Sequence, residues 1–125
     1  REARYRATVE LSPLIAWSAD PQGGIVDVVS RWYEQTGLTP EQTLGTAWAA
    51  ALHPEDVAET SRQWRHATET GEPFSTEYRY RLRDGSYRWI HARATPLRAE
   101  DGSIIRWYGT LDDIHDRKLA EIALR

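Results

Sequence analysis

Two Asp-Gly-Ser turns in the second half of the chain constrain its fold more than any other feature. Asp84-Gly85-Ser86 and Asp101-Gly102-Ser103 each stand between runs rich in aromatic and β-branched residues. An Asp-Gly pair between two such runs is a strong signal for a tight β-hairpin. The pattern therefore predicts a three-stranded antiparallel meander over residues 74–114.

Two further strands are predicted in the first half of the chain. Residues 14–19 form a short apolar run and residues 25–29 are rich in β-branched side chains, and both patterns favour strands. The segment between them, Asp-Pro-Gln-Gly-Gly at 20–24, is a turn by composition. The two strands can join the meander in one five-stranded antiparallel sheet.

Helices are predicted between the two sets of strands. Ser30 is expected to cap a short helix over 31–36, which Gly37 ends. Further helical turns are expected around Pro40 and over residues 48–52. The longest helix begins near Pro54 and ends at Gly71, with Val57, Trp64 and Ala67 on one face. Helices that cover one face of an antiparallel sheet define an α+β fold.

Composition excludes several classes of function. The chain has 125 residues, which corresponds to one domain, and its formal net charge of -3 argues against a nucleic-acid partner. It has no cysteine, which excludes disulfides and thiolate metal sites. No apolar run approaches the ~18 residues of a membrane span, so we expect no membrane contact by this part of the chain. Because the chain also lacks methionine, we expect it to be part of a longer protein.

Five short segments in a fixed order resemble the PAS domain with its C-terminal PAC region. They are His53-Pro54-Glu55-Asp56, Glu77-Tyr78-Arg79, Asp84 to Trp89, Trp107 to Thr110, and Asp113-Ile114-His115-Asp116-Arg117-Lys118. The resemblance implies a PAS fold: a five-stranded antiparallel sheet, with short helices and one longer helix on one face. It divides the chain into a flanking helix at 1–11, a PAS/PAC core at 12–114 and the start of a signalling helix at 115–125.

The resemblance also implies a function. PAS domains of this type are sensory modules of bacterial signalling proteins, most often histidine kinases or GGDEF diguanylate cyclases, and are not enzymes themselves. The expected partners are a second copy of the chain, a covalently linked output domain and a small-molecule ligand. The alternative is a PAS module that binds no ligand and serves in dimerisation or protein interaction.

The family holds its ligands between the sheet and the helices. Strand alternation places Ile90, Ala92 and Ala94 on one face of their strand. The candidate pocket residues are Trp32, Trp48, Trp64, Tyr78, Tyr80, Ile90 and Ala92. The alternative is that these side chains fill the core and leave no cavity, because protein interiors pack densely.

The sequence names no cofactor. Haem would need an axial histidine, and the only candidate on the long helix, His66, lies beside the predicted inner face, where a solvated position is expected. No two histidines have the spacing of a metal site. The light sensors of the family form a flavin adduct with cysteine, which this chain lacks, and noncovalent flavin is also disfavoured. The ligand is left open.

Signal relay is assigned to the strand-to-helix junction at Asp113, Ile114, His115 and Asp116. The family usually has threonine after Asp-Ile, where its hydroxyl ties the last strand to the outgoing helix, and here that residue is His115. Capping is therefore expected to pass to Asp116. The helix that follows carries an apolar stripe of Leu119, Ile122 and Ala123.

Overall fold

A five-stranded antiparallel sheet runs through residues 14–125, the part of the chain that this computed structural model describes. The flanking helix predicted over 1–11 lies outside these residues. Helices and turns pack on one face of the sheet. The strands are β1 (Ile15–Ala19), β2 (Ile25–Val28), β3 (Phe74–Arg81), β4 (Tyr87–Arg98) and β5 (Ile104–Asp113); the helices are α1 (Ser30–Thr36), α2 (Pro54–Thr70) and α3 (His115–Ala123), with 3-10 turns at Pro40–Gln42 and Ala47–Ala51.

The strand order is β2-β1-β5-β4-β3, which confirms the predicted meander and places β5 at the centre of the sheet. Both hairpin turns use the same chemistry. In the first, the Asp84 carboxylate accepts hydrogen bonds from the backbone N–H and the hydroxyl of Ser86, and Gly85 has a φ of 90°. Asp101 and Ser103 repeat these bonds in the second turn. The backbone of the middle residue is left-handed, which explains why glycine stands there.

Helix ends follow the predicted signals in most places. α1 and α2 end at Gly37 and Gly71, both in the left-handed conformation. The predicted cap at Ser30 is wrong, because Ser30 is already the first residue of α1 and the N-cap position falls on Val29. Val29 has an extended backbone, so the chain passes from β2 directly into the helix.

The inner face of the sheet forms the core with α2. Ile90, Ala92 and Ala94 are buried, whereas Arg93 on the other face of β4 is exposed, as strand alternation predicts. Trp107 is fully buried at the centre of the sheet. The core is therefore a layer of aromatic rings between β-strands and one long helix.

Candidate functional site

An apolar cavity of about 50 Å³ lies between the sheet and the helices. A buried water needs roughly 10–15 Å³ of such space, so the cavity has room for a ligand of a few heavy atoms. The cavity is far smaller than the roughly 300–1,000 Å³ of sites for larger ligands. It is lined by Trp17, Ile25, Val28, Trp32, Thr43, Trp48, Thr60, Trp64, Phe74, Tyr78 and Leu111.

Trp64 of α2 organises one side of the cavity wall. Its ring makes edge-to-face contacts with Trp17, Phe74 and Trp107, with centroid distances of 5.4, 5.0 and 5.2 Å. Its indole N–H donates to the carbonyl oxygen of Gly23 at 2.9 Å. Edge-to-face aromatic pairs contribute roughly 0.5–1.5 kcal/mol beyond the area they bury. This wall is therefore held by several mutually supporting ring contacts.

Gly109 on β5 makes room for the ring of Trp17. A side chain at this position would collide with the ring of Trp17 and with the backbone carbonyl oxygen of Arg93. The absence of a side chain lets the Trp17 indole lie against the central strand. The position of Trp17 in the cavity wall therefore depends on glycine at 109.

The other side of the wall is built on Trp32 of α1. Its ring stacks on Tyr80 at 5.6 Å, and its N–H donates to the hydroxyl of Thr43 at 3.0 Å. The Tyr80 hydroxyl donates to Gln35 Oε1 at 2.7 Å. Burial raises the pKa of Tyr80 to about 12 and also raises the pKa of Tyr78, so both phenols stay neutral near pH 7. Neither tyrosine brings charge to this wall.

Two donors in the cavity wall lack an acceptor. The indole nitrogens of Trp17 and Trp48 are buried, and neither has a hydrogen-bond partner within the part of the chain that the structure describes. A buried donor without a partner costs roughly 1–3 kcal/mol. The wall is therefore largely apolar and includes two tryptophans whose buried indole N–H groups have no acceptor among the described residues.

The second candidate region is the junction where β5 passes into α3. The backbone N–H of Ile114 donates to the carbonyl oxygen of Trp89 at 3.0 Å. The N–H of Trp89 in turn donates to Nδ1 of His115 at 3.1 Å. The Asp113 carboxylate accepts from the His115 N–H at 2.9 Å and from Arg88 Nε at 2.6 Å. The pairing of β4 with β5 thus continues into the first residue of the helix.

Asp113 contributes an ionised carboxylate to the junction. Burial raises the pKa of Asp113, but the hydrogen bonds and charge of Arg88, together with the N–H of His115, outweigh burial and hold that pKa below its ordinary value. The expectation that capping passes to Asp116 is wrong. α3 begins one residue earlier, at His115, so Asp116 lies inside the first turn and the carboxylate that binds the helix start is that of Asp113.

The ring of Trp89 links α3 to the outer face of the sheet. The guanidinium of Arg79 and the ammonium of Lys118 each lie 4.8 Å from the ring centroid. Lys118 also donates to Glu77 at 2.7 Å, and Arg79 is paired with Asp56 at the start of α2 at 2.9 Å. One continuous set of contacts therefore joins the beginning of α2 to α3 across the sheet.

The histidines and acidic residues that the structure describes form no metal site. Across residues 14–125, no three histidine, aspartate or glutamate side chains are grouped as metal ligands. The side chain of His66 is 61% exposed and lies 3.7 Å from Glu72, so it does not reach the cavity. The space between the sheet and the helices fits neither haem nor flavin as it stands. None of the helices in this part of the chain has the length and apolar character needed to cross a membrane.

The sequence pattern of the PAS fold family matches residues 25–111 of this chain. The chain belongs to the PAS fold family. The matched residues include most of the cavity wall and stop before the β5–α3 junction.

Known proteins similar to this PAS domain include signalling proteins. The uncharacterized protein y4lL of Sinorhizobium fredii is 46% identical over 97% of the chain, and the peroxide stress-activated histidine kinase mak1 of Schizosaccharomyces pombe is 31% identical over 99%. The chain spans only 14% and 8% of these relatives. The N-terminal domain of a diguanylate cyclase with PAS/PAC sensor from Marinobacter aquaeolei shares the fold, with a TM-score of 0.74 and 23% identity over 84% of this chain and 98% of that domain.

The structure brings four of the seven pocket candidates of this PAS domain to the cavity: Trp32, Trp48, Trp64 and Tyr78. The other three, Tyr80, Ile90 and Ala92, are buried beside it without lining it.

The sequence interpretation missed several lining residues, among them Trp17, Thr43 and Leu111. The sequence could have identified Trp17, because alternation on β1 puts it on one face with Ile15 and Ala19. No local signal marks Thr43, which lies in the turn after Gln42 and reaches the site through its bond with Trp32.

Proposed function

We propose that this chain is the sensory module of a multidomain signal-transduction protein, in which a small ligand in the cavity alters the β5–α3 junction. One observation carries the proposal. Leu111 lines the cavity, and the junction follows only two and three residues further along the chain, at Asp113, the last residue of β5, and at Ile114. A change in packing at Leu111 therefore has a short, stiff route to the start of α3.

The chemistry of the wall limits the ligand. Most of the lining is apolar, the volume suits a few heavy atoms, and the unsatisfied groups of Trp17 and Trp48 are both donors. An indole N–H can only donate a hydrogen bond. The ligand that fits is a small neutral molecule with an apolar body and one acceptor oxygen.

The mechanism is a population shift. A ligand moves an equilibrium only by its difference in affinity for the two states. Here the two states differ in the packing of β5 against α2, and the outcome is the position of α3 relative to the sheet. The PAS domain itself performs no chemical step in this proposal.

We propose that this domain of the parent protein is cytoplasmic and dimeric, and that α3 links it to an output domain. The histidine kinase among its relatives supports a kinase output, and a diguanylate cyclase is the second choice. The exposed side chains of Leu119 and Ile122 on α3 are 48% and 42% accessible, which suits continuation into a helical pair.

The test compares two probes of equal shape, acetone and isobutene, of which only acetone carries an acceptor oxygen. Acetone is expected to shift the NMR signals of the Trp17 and Trp48 indole N–H groups and of the Ile114 amide. Isobutene should move them less at the same concentration. Val28→Phe, which fills the cavity, should abolish these shifts, and Val26→Phe, on an exposed neighbour in the same strand, should preserve them. Shifts that survive Val28→Phe would show that the probe binds elsewhere.

A second candidate function is dimerisation without a ligand. The outer face of the sheet exposes Leu97 and Tyr108, and Ile105 of β5 is 53% accessible. Exposed apolar residues close together are typical of interaction surfaces. Sedimentation of the chain across a concentration series separates the two functions, because a chain that stays monomeric removes support for this alternative and leaves the ligand test unaffected.

A further inference from the structure

The first residue of α3 holds the helix to the sheet through an imidazole nitrogen. Nδ1 of the half-buried His115 accepts the backbone N–H of Trp89 at 3.1 Å. A nitrogen that accepts a hydrogen bond carries no proton, so the ring is neutral in this arrangement and its proton lies on Nε2. The contact therefore exists only in one protonation state and one tautomer.

Protonation removes this acceptor completely. An imidazolium ring has two N–H donors and no acceptor, so rotation of the ring cannot restore the bond with Trp89. The Trp89 N–H would then face another donor where the pairing of β4 with β5 ends. The Ile114 N–H still binds the Trp89 carbonyl oxygen, so one of the two backbone ties of the junction is lost and the other remains.

The carboxylates near His115 offer the protonated ring alternative hydrogen-bond acceptors. On β5, Asp113 already accepts the His115 backbone N–H. On α3, Asp116 lies in the same first turn. On β4, Arg88 opposes a second cation but is itself paired with Asp113. On β3, Tyr80 stays neutral, since burial raises its pKa to about 12. The two carboxylates therefore favour an imidazolium that has turned away from Trp89.

We infer that His115 makes the attachment of α3 to the sheet respond to protons. The neutral ring fastens the first turn of α3 to β4, and the imidazolium releases it. Imidazole is the side chain that ordinarily changes charge between about pH 5 and 8. This input acts at the junction and needs no occupant in the cavity, and only its use as a signal rests on the proposed relay.

A second histidine makes a similar bond elsewhere, which sets the design of the test. Nδ1 of His53 accepts the backbone N–H of Glu55 at the start of α2, also at 3.1 Å. Protonation of either ring would remove the bond at its own helix start. The measurement must be local to the Trp89 amide to assign the effect to His115.

The test follows amide hydrogen exchange at Trp89 by NMR between pH 8 and pH 5.5, corrected for the intrinsic exchange rate. The natural chain is expected to lose protection at Trp89 by roughly 3- to 10-fold, the loss of one hydrogen bond. His115→Asn offers a carbonyl oxygen that accepts at every pH, so its protection should stay constant. In His115→Ala the Trp89 amide should be poorly protected at every pH. His53→Asn should leave the pH dependence of Trp89 protection unchanged.

The same pH course in His115→Asn as in the natural chain would overturn the inference. The tautomer gives an independent test that needs no variant. Long-range ¹⁵N–¹H spectra at pH 8 should place the His115 proton on Nε2, and a proton on Nδ1 would contradict the mechanism. Val28→Phe should leave the pH response intact, so failure of ligand binding and failure of the proton response are distinguishable.

Discussion

The cavity wall and the β5–α3 junction belong to one sheet but are held together in different ways. The wall is a set of rings around Trp64, in which each ring has several neighbours. The junction depends on a few directional bonds among Trp89, Asp113 and His115. Ring packing spreads its free energy over many weak atom contacts, whereas each hydrogen bond concentrates its free energy in one donor and one acceptor. The two regions should therefore respond differently to the loss of a single side chain.

The largest expected effect tests this contrast with the same substitution in each region. Trp64→Ala removes a buried ring with three aromatic neighbours and should lower the free energy of unfolding by roughly 3–5 kcal/mol. Trp89→Ala removes a half-buried ring but keeps both backbone bonds of the junction, and should cost roughly 1–2 kcal/mol. Urea unfolding followed by far-UV circular dichroism measures both. Equal losses would show that the two regions are not built differently.

An intermediate effect is expected at Asp56, where the core helix meets the polar face. Its carboxylate is 16% exposed and accepts three hydrogen bonds from Arg79, each at 2.9 Å. Burial raises the pKa of Asp56, but these bonds and the charge of Arg79 outweigh burial and lower it overall. Asp56→Asn is expected to lower the free energy of unfolding by roughly 1.5–3 kcal/mol at pH 7.

The pH dependence of the Asp56 effect has a fixed sign. Because the folded pKa is below the unfolded value of about 3.9, the contribution is fully present above that value. It is lost as the pH falls through the folded pKa. The difference in unfolding free energy between the natural chain and Asp56→Asn should therefore shrink below about pH 4. A difference that stays constant down to pH 2 would exclude the carboxylate charge as its source.

The smallest effect is expected from neighbouring cations on α3. Lys118→Met removes the contact with the Trp89 ring and the bond to Glu77, and should weaken docking of α3 by roughly 0.5–1 kcal/mol. Arg117→Met is the matched control, since Arg117 is 54% exposed and lies 3.6 Å from Glu77. Hydrogen exchange of the α3 amides measures docking. Equal losses in the two variants would point to helix charge in place of the ring contact.

The fold was largely predictable because its signals are local. The Asp-Gly turns, the glycines that end α1 and α2, and the alternation along β4 each depend on the steric limits of a few adjacent residues. The cap at Ser30 was misplaced because the continuation of β2 into α1 depends on the backbone of Val29, which no propensity specifies. Local rules thus determined the elements and misplaced two helix caps, at Ser30 and at Asp116.

The candidate site was only partly predictable, because its members are distant in sequence. Trp17, Thr43 and Leu111 meet around one cavity only after the sheet has formed with β1 beside β5. The partner of His115 is likewise the backbone of Trp89, 26 residues earlier. Alternation on β1 marks Trp17, but neither Thr43 nor the pairing of His115 with Trp89 leaves a periodic trace in the sequence.

The sequence by itself determined the period of each strand, the turns, the glycines that end α1 and α2, and the family. These follow from short-range sterics and from the side chains that suit them. Only the tertiary structure decided which aromatic rings enclose a cavity and which N–H group donates a hydrogen bond to His115. Both depend on how distant surfaces pack, and the free energy of that packing is shared among many residues.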